Sequence, residues 1–112
     1  MNRASRHWRN QRLTSLALVP LSLWFAAGLL SLPDATHASV IRWLSQPASA
    51  VLAAMFTGCA LWHSMQGVQV VVEDYVGGRL QRPTLLALWI LHWVAGIGAA
   101  TAIVRIFGMG VP

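Results

Sequence analysis

The sequence predicts an all-α membrane protein of three transmembrane helices, and three observations carry that class. Residues 13–32, 48–72 and 84–104 are apolar runs of twenty, twenty-five and twenty-one residues without one Asp, Glu, Lys or Arg. Charged residues make up 10% of the chain and hydrophobic ones 56%, whereas a soluble domain carries about 25% charged residues. The charges that exist flank the runs. A hydrocarbon core about 30 Å thick needs ~20 residues of helix. In lipid an isolated strand leaves its backbone unsatisfied, so helices are the reading for three separated runs.

The elements follow in order. Residues 1–12 form a basic tail with Arg3, Arg6, Arg9 and Arg12 placed directly before the first run. A net charge of +5 could suit nucleic acid, but a cluster at this place is attracted to anionic lipid headgroups instead. The tail, the run and the small residues Thr36-His37-Ala38 superficially resemble a secretory signal. Such signals have an apolar region of about 7–15 residues, shorter than this one, so the segment is expected to stay as helix 13–32. Pro20 is expected to kink it. The loop 33–47 is rich in turn residues (Pro33, Asp34, Ser45) and has room for a short interfacial helix over 40–44 with Trp43. The second helix, 48–72, leads into a loop at 73–83 where Gly77-Gly78 ends it. The third helix is 84–104 and the tail 105–112. The single cysteine, Cys59, lies in an apolar run, so neither a disulfide framework nor a cysteine metal motif is available.

Arginine placement sets the orientation. The N-terminal tail and the second loop (Arg79, Arg82) hold six; the first loop (Arg42) and the C-terminal tail (Arg105) hold two. The positive-inside rule places the N-terminus and second loop in the cytoplasm and the C-terminus in the periplasm. Trp8 and Trp43 suit interfacial anchoring. Trp62, Trp89 and Trp93 fall deeper, where a polar-edged ring better faces a helix or cofactor than lipid.

His63 is the chemical centre of the sequence. An ionisable residue inside a membrane helix is a functional-site hypothesis by default, since burying it alone is costly. His63, Gly67, Val70 and Asp74 are spaced i, i+4, i+7, i+11 along one helix face. Gly67 removes a side chain where a flat group would approach. That pattern suits axial ligation of a haem. Other metals accept imidazole equally, and a histidine bonded to a neighbouring helix explains it as well. Glu73-Asp74-Tyr75 closes the helix. They read either as solvated carboxylates with a belt tyrosine or as a site for a lipid-soluble quinone, with Tyr75 donating through its hydroxyl and Asp74 relaying protons.

The run His63-Ser64-Met65-Gln66-Gly67-Val68-Gln69-Val70-Val71-Val72-Glu73-Asp74-Tyr75 resembles the second helix of the hydrophobic membrane anchor subunit of bacterial succinate dehydrogenase. The stretch from His7 to Pro20, especially Gln11-Arg12-Leu13-Thr14, is similar to the segment before that family's first span. The resemblance implies that His63 is an axial ligand of a b-type haem whose other ligand is a histidine of a companion cytochrome b anchor subunit. It implies that Tyr75 hydrogen-bonds a ubiquinone carbonyl with Asp74 beside it. It also implies that Arg12 and His7 lie near the haem propionates or quinone pocket. The expected partners are that companion, an iron–sulfur subunit, a flavoprotein subunit, ubiquinone and lipid. Succinate would be oxidised on the flavoprotein, so this chain itself would be a non-catalytic anchor in the bacterial inner membrane.

Three rival readings stand beside it. One is a self-contained cytochrome, with His92 of the third helix at a depth close to His63 and both clamping one haem. Another is a non-redox assembly protein whose histidines are merely hydrogen-bonded. The third is a fumarate-reductase anchor. The Leu91-His92-Trp93 segment has no counterpart carried over from the family.

Overall fold

A computed structural model describes residues 2–109. Within them the chain forms four helices: α1 (Arg3–Leu30), α2 (His37–Leu44), α3 (Pro47–Tyr75) and α4 (Gln81–Met109), with a 3₁₀ turn over Gly78–Leu80 before α4. Three are long and apolar enough to cross a membrane: α1, α3, and α4 with its leading turn. The fold is all-α with three candidate spans, as the apolar runs require.

α3 and α4 extend past their apolar runs at both ends, and α1 past its own at the start, because backbone hydrogen bonding continues beyond the apolar stretch. α1 begins ten residues before the first run. Asn2 caps it by accepting from the Ser5 N–H at 2.8 Å. No acidic side chain sits in its first turn; the arginines there oppose the helix dipole. The helix runs on through Pro20. α3 starts with Pro47 at its first position, where the missing N–H costs nothing. It ends at Tyr75, and the chain turns through Gly78, whose φ of +65° is a conformation that favours glycine. Polar side chains in α4 hide their hydroxyls on the preceding turn: Thr84 donates to the Leu80 carbonyl at 2.7 Å and Thr101 to the Ile97 carbonyl at 2.8 Å.

α3 is the central helix. α1 packs antiparallel along one side and α4 along the other, while α2 lies across the far end against α3 and α4. At that end an aromatic cluster joins three helices. Trp43 of α2 meets Trp24 and Phe25 of α1 with ring centres 5.4 and 5.8 Å apart, and Phe25 stacks on Phe56 of α3 at 5.2 Å. Trp43 is therefore half-buried under α1. Gly28 makes this possible: a Cβ there would overlap the Trp43 ring. α2 begins at His37, three residues before the expected 40, because Thr36 caps it by accepting from the Ser39 N–H at 3.3 Å. At the opposite, arginine-rich end stand the start of α1, the end of α3 and the start of α4.

Candidate functional site

The site is built where α1 crosses the second half of α3. His63 is partly buried, and its Nδ1 lies 3.0 Å from the Thr14 Oγ1 of α1. The Thr14 oxygen also lies 2.9 Å from the Asn10 carbonyl and 3.1 Å from the Gln11 carbonyl. Two oxygens this close need a proton between them, so the hydroxyl donates to its own helix and accepts from His63 Nδ1–H. The Nε2 of His63 then carries a lone pair, and it has no hydrogen-bond partner among the described residues.

One turn along α3 from His63, a cavity of about 760 Å³ opens between α1 and α3 toward the arginine-rich end. Arg3, His7 and Gln11 line it from α1, one helical turn apart, and Gln66, Gly67, Val70 and Glu73 line it from α3. A Cβ built on Gly67 would meet only the Gln11 Nε2, at 3.8 Å, so that helix face is open. Gln66 is buried at 7% exposure. Its Oε1 and that of Gln11 are buried without a hydrogen-bond partner, and an unpaired buried acceptor costs about 1–3 kcal/mol. Glu73 is held from within α3, accepting from Gln69 Nε2 at 2.8 Å, while its backbone carbonyl accepts from Gln81 Nε2 at 3.2 Å.

Gly67, Val70 and His7 share the cavity, and His63 stands one turn along α3 from Gly67, in contact with Thr14 of α1. Arg12 does not itself line the cavity; its guanidinium lies 5.0 Å from the centre of the Trp8 ring, a cation–π contact with a residue of the cavity wall. Asp74 and Tyr75 are exposed at the end of α3, with Tyr75 at 84%. Thr14, Gln11, Gln66 and Arg3 are site residues whose contribution the sequence pattern does not single out. Gln66 and Gln69 carry one legible signal, two amides one turn apart in an otherwise apolar helix.

His92 belongs to a different environment. Its Nδ1 is 2.8 Å from the Leu88 carbonyl, which only accepts, so Nδ1 carries the proton and Nε2 accepts from the Ser64 hydroxyl at 3.2 Å. Both ring nitrogens are thereby occupied. His63 and Ser64 are adjacent, about 100° apart around α3, so one addresses α1 and the other α4. His92 lines a smaller apolar cavity of about 280 Å³ between α3 and α4, with Trp62, Trp89 and Trp93 around it. Trp62 and Trp89 meet edge to face at 6.0 Å. The two histidines do not converge on one pocket.

Residues 2–104 match the family model described as succinate dehydrogenase/fumarate reductase transmembrane subunit. Several relatives carry the name succinate dehydrogenase hydrophobic membrane anchor subunit. That of Rickettsia felis is 32% identical over 99 residues, covering 88% of this chain and 82% of its own. The Rickettsia conorii protein is 30% identical over 96 residues, covering 85% and 76%. The Rickettsia prowazekii protein is 29% identical over 107 residues, covering 95% and 83%. No solved structure matches. Three apolar helices and these bacterial relatives make the chain a multi-pass protein of the bacterial inner membrane. The family match runs from the capped start of α1 through nearly all of α4 and takes in every residue of the α1–α3 site, so this chain belongs to the succinate dehydrogenase/fumarate reductase transmembrane subunits.

Proposed function

We propose that the chain is the membrane anchor subunit of a succinate:quinone oxidoreductase, in which His63 is one axial ligand of a b-type haem shared with a companion cytochrome b subunit. The observation that carries this reading is the state of His63: an imidazole inside a membrane helix, oriented by a hydroxyl on Nδ1 and left with a bare lone pair on Nε2. His92, by contrast, has both ring nitrogens engaged.

The residues around His63 fit a haem. Gly67 leaves the helix face open one turn away. Arg3 and His7 line the cavity beyond it and suit the carboxylates of propionates, since a guanidinium binds carboxylate with charge-assisted hydrogen bonds. The Nε2 of Gln11 and of Gln66 are further donors. When bound, the haem would supply a one-electron store. His63 would hold the iron, and Arg3 and His7 would hold the propionates with compensating charge. The unpaired Oε1 atoms of Gln11 and Gln66 call for a donor, which ordered water or a protonated ligand group provides.

Tyr75 and Asp74 form one wall of a ubiquinone site completed by other subunits. Their exposure at the end of α3 supports this, because groups that serve a shared site stand free in one isolated chain. Quinone reduction consumes two electrons and two protons. Tyr75 hydrogen-bonds a carbonyl oxygen, and Asp74 passes protons inward from water. The iron–sulfur subunit delivers the electrons and the flavoprotein oxidises succinate. In this arrangement the arginine-rich end faces the cytoplasm, where six of the eight arginines stand, and the iron–sulfur subunit docks there.

The test is His63→Ala in the assembled complex. The low-spin b-haem spectrum should be lost or strongly altered, while His92→Ala should leave it intact. An unchanged spectrum in the His63 variant would remove the haem assignment.

A further inference from the structure

We propose that Thr14 is the positioning residue for His63: it fixes the imidazole as the Nδ1–H tautomer, aims Nε2, and tunes the ligand's donor strength. The proposal rests on the haem reading of His63. Its own basis is geometric. Thr14 Oγ1 is 3.0 Å from His63 Nδ1 although 49 residues separate them. The same oxygen is saturated as a donor by the Asn10 and Gln11 carbonyls behind it, so toward His63 it can only accept.

Three consequences follow from that assignment. A neutral imidazole has two tautomers, and only the one protonated on Nδ1 leaves Nε2 able to bind a metal. In water the two interconvert; here the acceptor on α1 selects one before any ligand arrives. Second, the bond fixes the ring about its own side-chain torsions, so Nε2 points in one direction. Third, an acceptor on the distal N–H makes an imidazole a more basic ligand, which favours the oxidised metal. The hydroxyl is itself oriented by its own helix, so α1 turns a flexible histidine into a directed one. Carboxylates and backbone carbonyls are the usual partners of a ligating histidine. A hydroxyl does the same work here without placing a charge at this depth of the membrane.

The test compares Thr14→Val, which keeps the branched shape, Thr14→Ala, which cannot clash, and Thr14→Ser, which restores the hydroxyl. Each is made in the complete complex purified with its companion subunits. Three quantities are read: the midpoint potential of the haem, its low-spin spectrum, and haem retained against an excess of apomyoglobin. Val and Ala should raise the midpoint potential, and retention should fall by roughly 10-fold or more, the usual scale for losing a ligand's hydrogen-bond partner. Ser should match the wild type on all three. If Val fails to assemble, Ala carries the comparison. Wild-type values in both Val and Ala overturn the proposal, and so does a Ser variant that shifts as much as Ala, since shape and not the hydroxyl would then matter. Failure of the haem reading looks different: His63→Ala would retain the native spectrum. If His63→Ala loses the haem while Thr14→Ala changes nothing, only the role of Thr14 falls.

Discussion

Tyr75 closes α3 with 84% of its surface exposed, and its ring is clear of every aromatic partner among the described residues. Tyr75→Phe keeps the ring and deletes one hydroxyl. If that hydroxyl bonds a quinone carbonyl, the loss is about 0.5–1.5 kcal/mol for a neutral bond and more once charge builds on the oxygen. Quinone-linked turnover at limiting quinone should fall several-fold, while succinate oxidation with an upstream artificial acceptor stays near normal. Normal quinone reduction by the Phe variant would return Tyr75 to the role of a belt residue. The two kinds of residue in this site differ in legibility for a physical reason. His63 is visible because an imidazole in an apolar run is anomalous by composition alone. Thr14 is not anomalous, since threonine is ordinary in a membrane helix, and its role comes from a partner on another helix. Arg12 is visible as a charge, but sequence does not show direction, and its stacking on Trp8 depends on which way the side chain turns.

At the scale of elements, the short α2 depends on its first turn. Asp34, in the loop before it, accepts from the Ser39 hydroxyl, from the Thr36 hydroxyl at 2.6 Å and from the Thr36 N–H at 3.3 Å. These bonds, led by Ser39 and then Thr36, hold its carboxyl below the ordinary value of 3.8, with a smaller pull from Arg42. A folded-state pKa below the unfolded one means the stabilisation is full above the unfolded value and is lost as pH falls through the folded one. The cap should therefore be intact at neutral pH and loosen below about pH 4. Amide exchange at Ser39 and Val40 reports it: corrected for intrinsic rates, protection should drop on acidification in the wild type. Asp34→Asn should start lower and lose the pH response; an unchanged profile would show that Asp34 does not support the cap. The long helices are legible from hydropathy and their ends are not. Hydropathy marks the part that must avoid water, whereas the first ten residues of α1 are helical through hydrogen bonding alone. The start of α2 escapes hydropathy for a related reason: its cap is a Thr–Ser–Asp network and not an apolar pattern.

The whole molecule is elongated, with extents of 53 × 25 × 24 Å and a radius of gyration of 17.1 Å, where a compact chain of this length would give about 13 Å. It buries little within itself. Leu21, Ala50, Met65 and Val72 are the buried hydrophobic residues among those described, and α4 has none. Trp93, Leu16 and Val104 are all more than 60% exposed. Lipid and, in the proposed complex, a companion subunit cover these surfaces. Orientation is a property of this scale and is directly testable. A reporter active only in the periplasm should work when fused after Pro112 and stay silent when fused after Gly78. The reverse result would move the Asp74-Tyr75 end, and the proposed quinone site with it, to the other side of the membrane.

Arg3, Arg6, Arg9 and Arg12 all lie within α1, and this has a mechanical consequence. Residues three apart on a helix are about 300° apart in azimuth, so the four guanidinium groups wind through about 180° over a rise of about 14 Å. They form a partial thread around the helix and not a stripe down one side. Pushing α1 inward would drag Arg12 and then Arg9 into hydrocarbon, at about 2.5–3.5 kcal/mol for each arginine reaching the centre. Turning α1 about its own axis merely exchanges one arginine for another at the same headgroups. The bilayer thus sets the height of this helix and is nearly indifferent to its rotation. Rotation is left to contacts with α3, the Thr14–His63 bond among them, so the anionic lipid content of the membrane should govern how deep the site sits without governing which way it faces.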